Sequence, residues 1–158
     1  MVELDRIRET IVEWGERGIE FALATVVGVR GSTYRGLAAR QLVAADGTSV
    51  GTVSGGCLDS DLRAIAARVI ETGEREVVEF DLTADDEAVW GWGIGCNGAT
   101  RLLVEPAGPA QQLARVLGEL RVSQRPAAIV HVLSGNASRA VITHTDVGRV
   151  IAARIIAA

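Results

Sequence analysis

Little in this 158-residue chain favours the common catalytic chemistries. It has two cysteines, two histidines and three prolines. Zinc sites need three or four ligands, usually in paired spacings. Here Cys57 and Cys96 stand apart, His131 lies inside an apolar run and His144 falls at a hairpin tip, so no metal centre is expected. No Ser–His–Asp arrangement follows from the spacings. Basic residues are outnumbered, 16 against 20 acidic, for a net charge of −4; nucleic acid, which wants a basic face, is not an expected partner. No run approaches the ~20 apolar residues of a membrane span. Residues 1–17 mix acids and arginines and lack the apolar core of a secretion signal. With no such signal, the two cysteines read as reduced thiols in a cytoplasmic protein.

What is present is an ordinary globular balance of 48% apolar and 23% charged residues, in a length that suits one domain with a real core. The expectation is a single domain over 1–158, with the motifs in 1–106 and a helix plus a second hairpin region in 107–158. Leu4, Ile7, Ile11 and Trp14 recur three or four apart and predict an amphipathic helix over 3–17, stopped by Gly15 and Gly18. Phe21 to Val29 is a continuous small and β-branched run, as in a strand buried on both faces. Strands follow at 40–44 and 50–53 around the turn signal Asp46-Gly47. A helix is expected from about Cys57 to Glu71 with Leu58, Leu62, Ile65, Ala66 and Val69 inward. Strands at 75–82 and 101–105, a helix at 111–121, strands at 126–133 and 139–143 and an apolar segment at 150–156 complete the reading. Hairpins interleaved with helices give an α/β fold, a mixed β-sheet flanked by helices rather than a strict βαβ ladder. The pattern strand, loop, Arg-x-x-hydrophobic, Asp-containing turn occurs at 21–47 and again at 126–148. It is either a decayed internal repeat or the likeness of any two hairpins.

Three loops carry the chemistry. Ser54-Gly55-Gly56-Cys57 joins a strand to a helix; unpaired amides and the helix dipole would make an anion cradle there, with a thiol at its edge and its pKa lowered. Asp59 and Asp61 already offer the dipole two negative charges, which favours a plain turn with no ligand. Gly31 to Arg40 supplies Ser32, Thr33 and Tyr34 hydroxyls with Arg35 and Arg40, whose forked guanidiniums match phosphate oxygens; a solvated hairpin loop is the alternative. No lysine follows the glycines as a Walker loop needs, and Gly91-Trp-Gly-Ile-Gly has the wrong spacing for a dinucleotide fingerprint. Trp90 to Gly98 places Trp92, Gly95, Cys96 and Asn97 in a third loop, where an indole stacks on a flat heterocycle or simply plugs the core. The expectation is that the Cys57 and Cys96 loops converge on one site, with Ser54, Gly55 and Gly56 holding an anion beside Arg35.

Taken in order, these segments resemble the XdhC/CoxI family of accessory proteins for molybdenum hydroxylases. The likeness runs from about Ala22 to Pro106. It includes Ala24-Thr-Val-Val-Gly-Val29, Gly31-Ser-Thr-Tyr-Arg35, Ala39-Arg-Gln-Leu-Val43, Asp46-Gly47, Gly51-Thr-Val-Ser-Gly-Gly-Cys57, Gly93-Ile-Gly-Cys-Asn-Gly98 and Leu103-Val-Glu-Pro106. The resemblance implies a chaperone that binds the molybdenum cofactor (molybdopterin) transiently, assists its sulfuration and inserts it into an apo-hydroxylase of the xanthine or carbon monoxide dehydrogenase type. It also implies a sulfur-donating desulfurase as partner and a homodimer. Relatives often continue into a Rossmann-like domain while this sequence stops at Ala158, so the expectation is a chain that acts alone, one that works with a separate Rossmann-like chain, or a fragment. The chain departs from the pattern in three places: Tyr34 stands where many relatives have proline, Leu37-Ala38 where Pro-Gly is common, and Asp59 where glutamate is usual. A cysteine-dependent sulfur-transfer or small redox enzyme using Cys57 and Cys96 is the alternative.

Overall fold

The computed structural model of the chain describes residues 2–81, 98–123, 127–131, 133, 137–146 and 149–157. Three helices and eight strands follow in the order α1 (Val2–Glu16), β1 (Phe21–Gly31), β2 (Arg40–Ala44), β3 (Ser49–Gly51), α2 (Asp59–Thr72), β4 (Glu76–Asp81), β5 (Gly98–Pro106), α3 (Ala107–Ser123), β6 (Ala127–His131), β7 (Ala137–Asp146) and β8 (Arg149–Ala157). One sheet has the strand order β3-β2-β1-β5-β4 and a second has β6-β7-β8. The expected α/β architecture, a sheet built from hairpins and flanked by helices, is what forms. Every described pairing in it is antiparallel, in keeping with hairpins rather than βαβ units as the building blocks.

β1 occupies the middle of the five-stranded sheet, and its alternate side chains go to opposite faces. Ala22, Ala24 and Val26 join Val43, Leu102 and Val104 under Leu62, Ile65, Ala66 and Val69 of α2. Phe21 and Leu23 join Leu42 and Ala44 under Ile7, Ile11 and Trp14 of α1 and Ala110, Leu113 and Ala114 of α3. The uninterrupted apolar run read from the sequence therefore has its physical reason: this strand is covered on both sides. Trp14 meets Phe21 edge to face, with ring centroids 5.6 Å apart, a geometry favoured by the ring quadrupoles.

The helix ends also follow local rules, with shifts of one or two residues. α1 runs past Gly15 and closes in a Schellman motif, in which Gly18 N–H donates to the Gly15 carbonyl and Ile19 N–H to that of Trp14. Leu4, expected on the buried stripe, is 39% exposed and lines a cleft instead. α2 starts at Asp59, not at Cys57. The Asp46-Gly47 turn forms as expected. Thr48 N–H donates to the Asp46 carboxylate at 2.8 Å, and that bond holds the carboxyl below its usual pKa.

The loop from β1 to β2 contains a local strain. Ala38 has φ of +66°, a conformation that costs an L-residue about 1–2 kcal/mol. It persists because the Ala38 N–H donates to the Val26 carbonyl, Val26 N–H donates to the Ala39 carbonyl, and the Arg40 guanidinium donates to the Ala38 carbonyl at 3.0 Å. A glycine at position 38 would adopt this backbone without strain. Ala38→Gly is expected to stabilise the protein by about 0.5–1 kcal/mol, the strain relieved less the extra chain entropy of glycine. Thermal unfolding should show this as a rise of roughly 1–4 °C.

Candidate functional site

The loop between β3 and α2 is tied to itself. Thr52 Oγ1 donates to the Ser54 carbonyl at 2.6 Å, and the Ser54 hydroxyl accepts the Gly56 N–H at 3.0 Å. The same hydroxyl lies 3.4 Å from the Asp59 carboxylate, to which it donates. Buried Gln41 of β2 accepts the Val53 N–H at 3.1 Å, fixing the loop to the sheet. Gly56 takes φ of +106°, which a side chain would strain. These bonds aim the exposed Cys57 thiol outward, two residues ahead of α2, and buried Leu58 anchors the turn behind it.

Part of the expected anion cradle already has partners within the chain. The Gly56 amide is engaged by Ser54, and Asp59 brings its own carboxylate to the helix start, where the dipole favours it. The thiol of Cys57 is not on the first helical turn.

Tyr34 links this loop to the one after β1. Its ring lies on the backbone of Gly55, so close that a Cβ added there would sit 3.2 Å from a ring carbon. Thr33, Tyr34, Ser54, Gly55, Cys57 and Thr100 together line a small crevice. On the other side of the tyrosine is a larger cleft of about 560 Å³, bounded by α1 and the 34–40 loop, with Arg35 and Arg40 in its wall. Arg35 does not reach toward the glycine amides. Its Nη2 is held between the two carboxylate oxygens of Glu3 at 2.5 and 2.6 Å. Arg40 is buried and supports the loop through Ala38. Ser32 is exposed, and its backbone packs against Gly98 at the start of β5.

Of the residues picked from the sequence, Ser54, Gly55 and Cys57 share one crevice, while Arg35 and Arg40 share the neighbouring cleft. Trp92, Gly95, Cys96 and Asn97 lie outside the described residues, and with them the expected meeting of the two cysteine loops. What does stand near the Cys57 loop is the first part of β5: Thr100 is in the crevice wall. Sequence reasoning missed the Tyr34 ring as the divider of the two cavities, because its approach to Gly55 is a contact between separate loops that leaves no signal in the sequence. It also missed Glu3 as the partner of Arg35, for which a separation of 32 positions left none. Among the described residues, no helix is long and apolar enough to cross a membrane.

Comparison with known proteins bears on this site directly. The XdhC and CoxI family model matches residues 14–81, a stretch that contains the whole 31–59 loop region. A protein of Bacillus subtilis (strain 168) described as a probable xanthine dehydrogenase component is 35% identical over 89 residues, 54% of this chain and 26% of that protein. The crystal structure of a xanthine dehydrogenase from Bacillus halodurans superposes with a TM-score of 0.69 at 31% identity, over 89% of this chain and 42% of the other. The chain thus spans about a quarter of the curated relative and less than half of the solved one.

The contact between Gly98 and Ser32 generates a prediction about how the crevice is held. A Cβ at position 98 would run into the Arg30 carbonyl and come within 2.6 Å of that of Ser32, so β5 and the Gly31–Ser32 backbone would have to part. Gly98→Ala is expected to cost about 1–3 kcal/mol, the usual cost of overpacking, and to speed modification of Cys57 by a thiol reagent as the crevice wall shifts. Denaturant titration and a thiol-labelling time course measure the two effects.

Proposed function

We propose that the chain, whose residues 14–81 match the XdhC and CoxI family model, serves as an accessory factor for a molybdenum hydroxylase of the xanthine or carbon monoxide dehydrogenase type. In this reading it binds the molybdenum cofactor transiently, shelters it during sulfuration and passes it to the apo-enzyme. The observation that carries the proposal is the family match itself, spanning both loops that build the crevice and the cleft. The two relatives, whose names point to xanthine dehydrogenase, support it.

The residues present fit such a ligand. Molybdopterin has a flat heterocycle, a phosphate end and sulfur ligands around the metal. The exposed Tyr34 ring offers a stacking surface, the guanidiniums of Arg35 and Arg40 suit the phosphate, and the outward Cys57 thiol is a soft donor beside them. When bound, the group supplies the metal centre that the hydroxylase later uses. This chain's own task is to orient it with its reactive end beside the exposed Cys57 thiol; the crevice behind that thiol, walled by Thr33, Tyr34, Ser54 and Thr100, has a volume of only about 10 Å³ and is too small to take it in. An apo-hydroxylase, a sulfur-donating desulfurase and a second copy of the chain are the partners this role implies, in the cytoplasm where such enzymes mature.

The test is to titrate molybdopterin into the purified chain, then to incubate chain, cofactor, sulfur donor and apo-hydroxylase, omitting each in turn. The expected result is binding, with hydroxylase activation that needs stoichiometric chain. Cys57→Ser should keep molybdopterin binding within about tenfold, a loss of no more than about 1.4 kcal/mol. Repeated sulfuration of free cofactor by trace chain, abolished in Cys57→Ser, would instead make the chain a sulfur-transfer enzyme. No binding at all would overturn the proposal.

A further inference from the structure

The 560 Å³ cleft between α1 and the 34–40 loop has the size of a small-molecule site and an uneven lining. Its charged wall is the Arg35–Glu3 pair, with Arg40 buried beside it and donating to the Ala38 carbonyl. Its apolar wall contains Tyr34 and Leu37, 64% and 62% exposed, with Leu4 beside them. Large apolar side chains held open to solvent next to a guanidinium held only by a half-exposed carboxylate suit a ligand with a flat or greasy part and an anionic part. Glu3 meanwhile grips Arg35 with both carboxylate oxygens, as a bound anion would. Both bonds go to Nη2; among the described residues, the other two nitrogens of that guanidinium have no hydrogen-bond partner.

We propose that this cleft is a binding site for a phosphate monoester of a flat ring compound, and that Glu3 is a built-in competitor which the phosphate must displace from Arg35. The exchange is favoured by magnitude. The pair is half-exposed, with 29% of the Arg35 side chain and 47% of Glu3 open to water, and exposed pairs of this kind contribute little. A phosphate dianion can take the two-nitrogen fork that Glu3, bonded to Nη2 alone, leaves unused, and it has more charge and more acceptor oxygens. The displaced carboxylate is not stranded, since it sits in the first turn of α1, where the helix dipole favours it. α1 keeps its place through buried Ile7, Ile11 and Trp14 and through the ion pair of Asp5 with Arg121 on α3. The ring of the ligand would lie against Tyr34, the wall shared with the Cys57 crevice. Only the identity of the ligand as molybdopterin rests on the function proposed above; the cleft and its competitor do not.

Calorimetric titration of the full chain with phenyl phosphate, inorganic phosphate and molybdopterin, in separate arms, tests this. Glu3→Gln should tighten phenyl phosphate binding about three- to fivefold, the equivalent of an exposed ion pair. Arg35→Ala should weaken it tenfold or more. Tyr34→Ala should weaken phenyl phosphate but leave inorganic phosphate unchanged. If Glu3→Gln does not fold, Glu3→Ala, which also removes the competing carboxylate, takes its place with the same tightening expected. Affinity for phenyl phosphate that is unchanged or reduced in Glu3→Gln, or absent in both wild type and Glu3→Gln, overturns the proposal. Phenyl phosphate following this pattern while molybdopterin fails to bind would leave the cleft standing and remove the cofactor role. Molybdopterin binding that ignores both Glu3 and Arg35 would do the reverse.

Discussion

Burial of β1 on both faces is the constraint from which the rest of the described structure follows. A central strand with Leu23 pointing one way and Ala22 and Ala24 the other requires an apolar cover on each side of the sheet. α2 supplies one cover, α1 and α3 the other. Once those helices are committed, the loops that leave the covered part of the sheet are the ones free to form cavities. The 32–39 loop and the 52–58 loop leave from the same end, and the start of β5 is packed between them through Gly98 and Thr100. The position of the candidate site is thus a by-product of how far the helices reach along β1.

Small residues let these loops come so close. Gly55 accepts the face of Tyr34, and Gly98 accepts the Ser32 backbone. Ala38 is the exception, a residue with a Cβ in a conformation that glycine would adopt freely. Three hydrogen bonds around Val26, Ala39 and Arg40 hold it there. Arg40 is therefore a structural member of the cleft as well as a charge in its wall.

The elements of the fold were legible where the signal was local. Leu62, Ile65, Ala66 and Val69 repeat at helical spacing and are buried; the continuous run from Phe21 is a doubly covered strand; Asp46-Gly47 turns a hairpin. The first turn of α2 was misplaced by two residues because Ser54 and Asp59 pair across the glycines and delay the helix. The composition of the site was only partly legible. Cys57, Ser54 and Gly55 could be grouped because they are adjacent in sequence. The match of Arg35 to Glu3, the ring of Tyr34 over Gly55, and Thr100 in the crevice are contacts between distant segments, and no spacing rule encodes them. For the same reason the sequence joined Arg35 to the glycine loop, whereas the tyrosine between them puts the two in separate cavities.

The outer strand of the main sheet has one more consequence. β4 presents Glu76, Glu79 and Asp81, each matched to an arginine within its own sheet or helix: Arg68 of α2, Arg101 of β5 and Arg30 of β1. An exposed strand is a template on which another chain can add by backbone hydrogen bonding, and charged side chains along it discourage that addition. At the opposite border β3 is only three residues long, too short to offer much of a template. A protein that must expose apolar rings and an unprotected thiol around its cavities is thereby guarded at both borders against the commonest route by which sheets stick to one another.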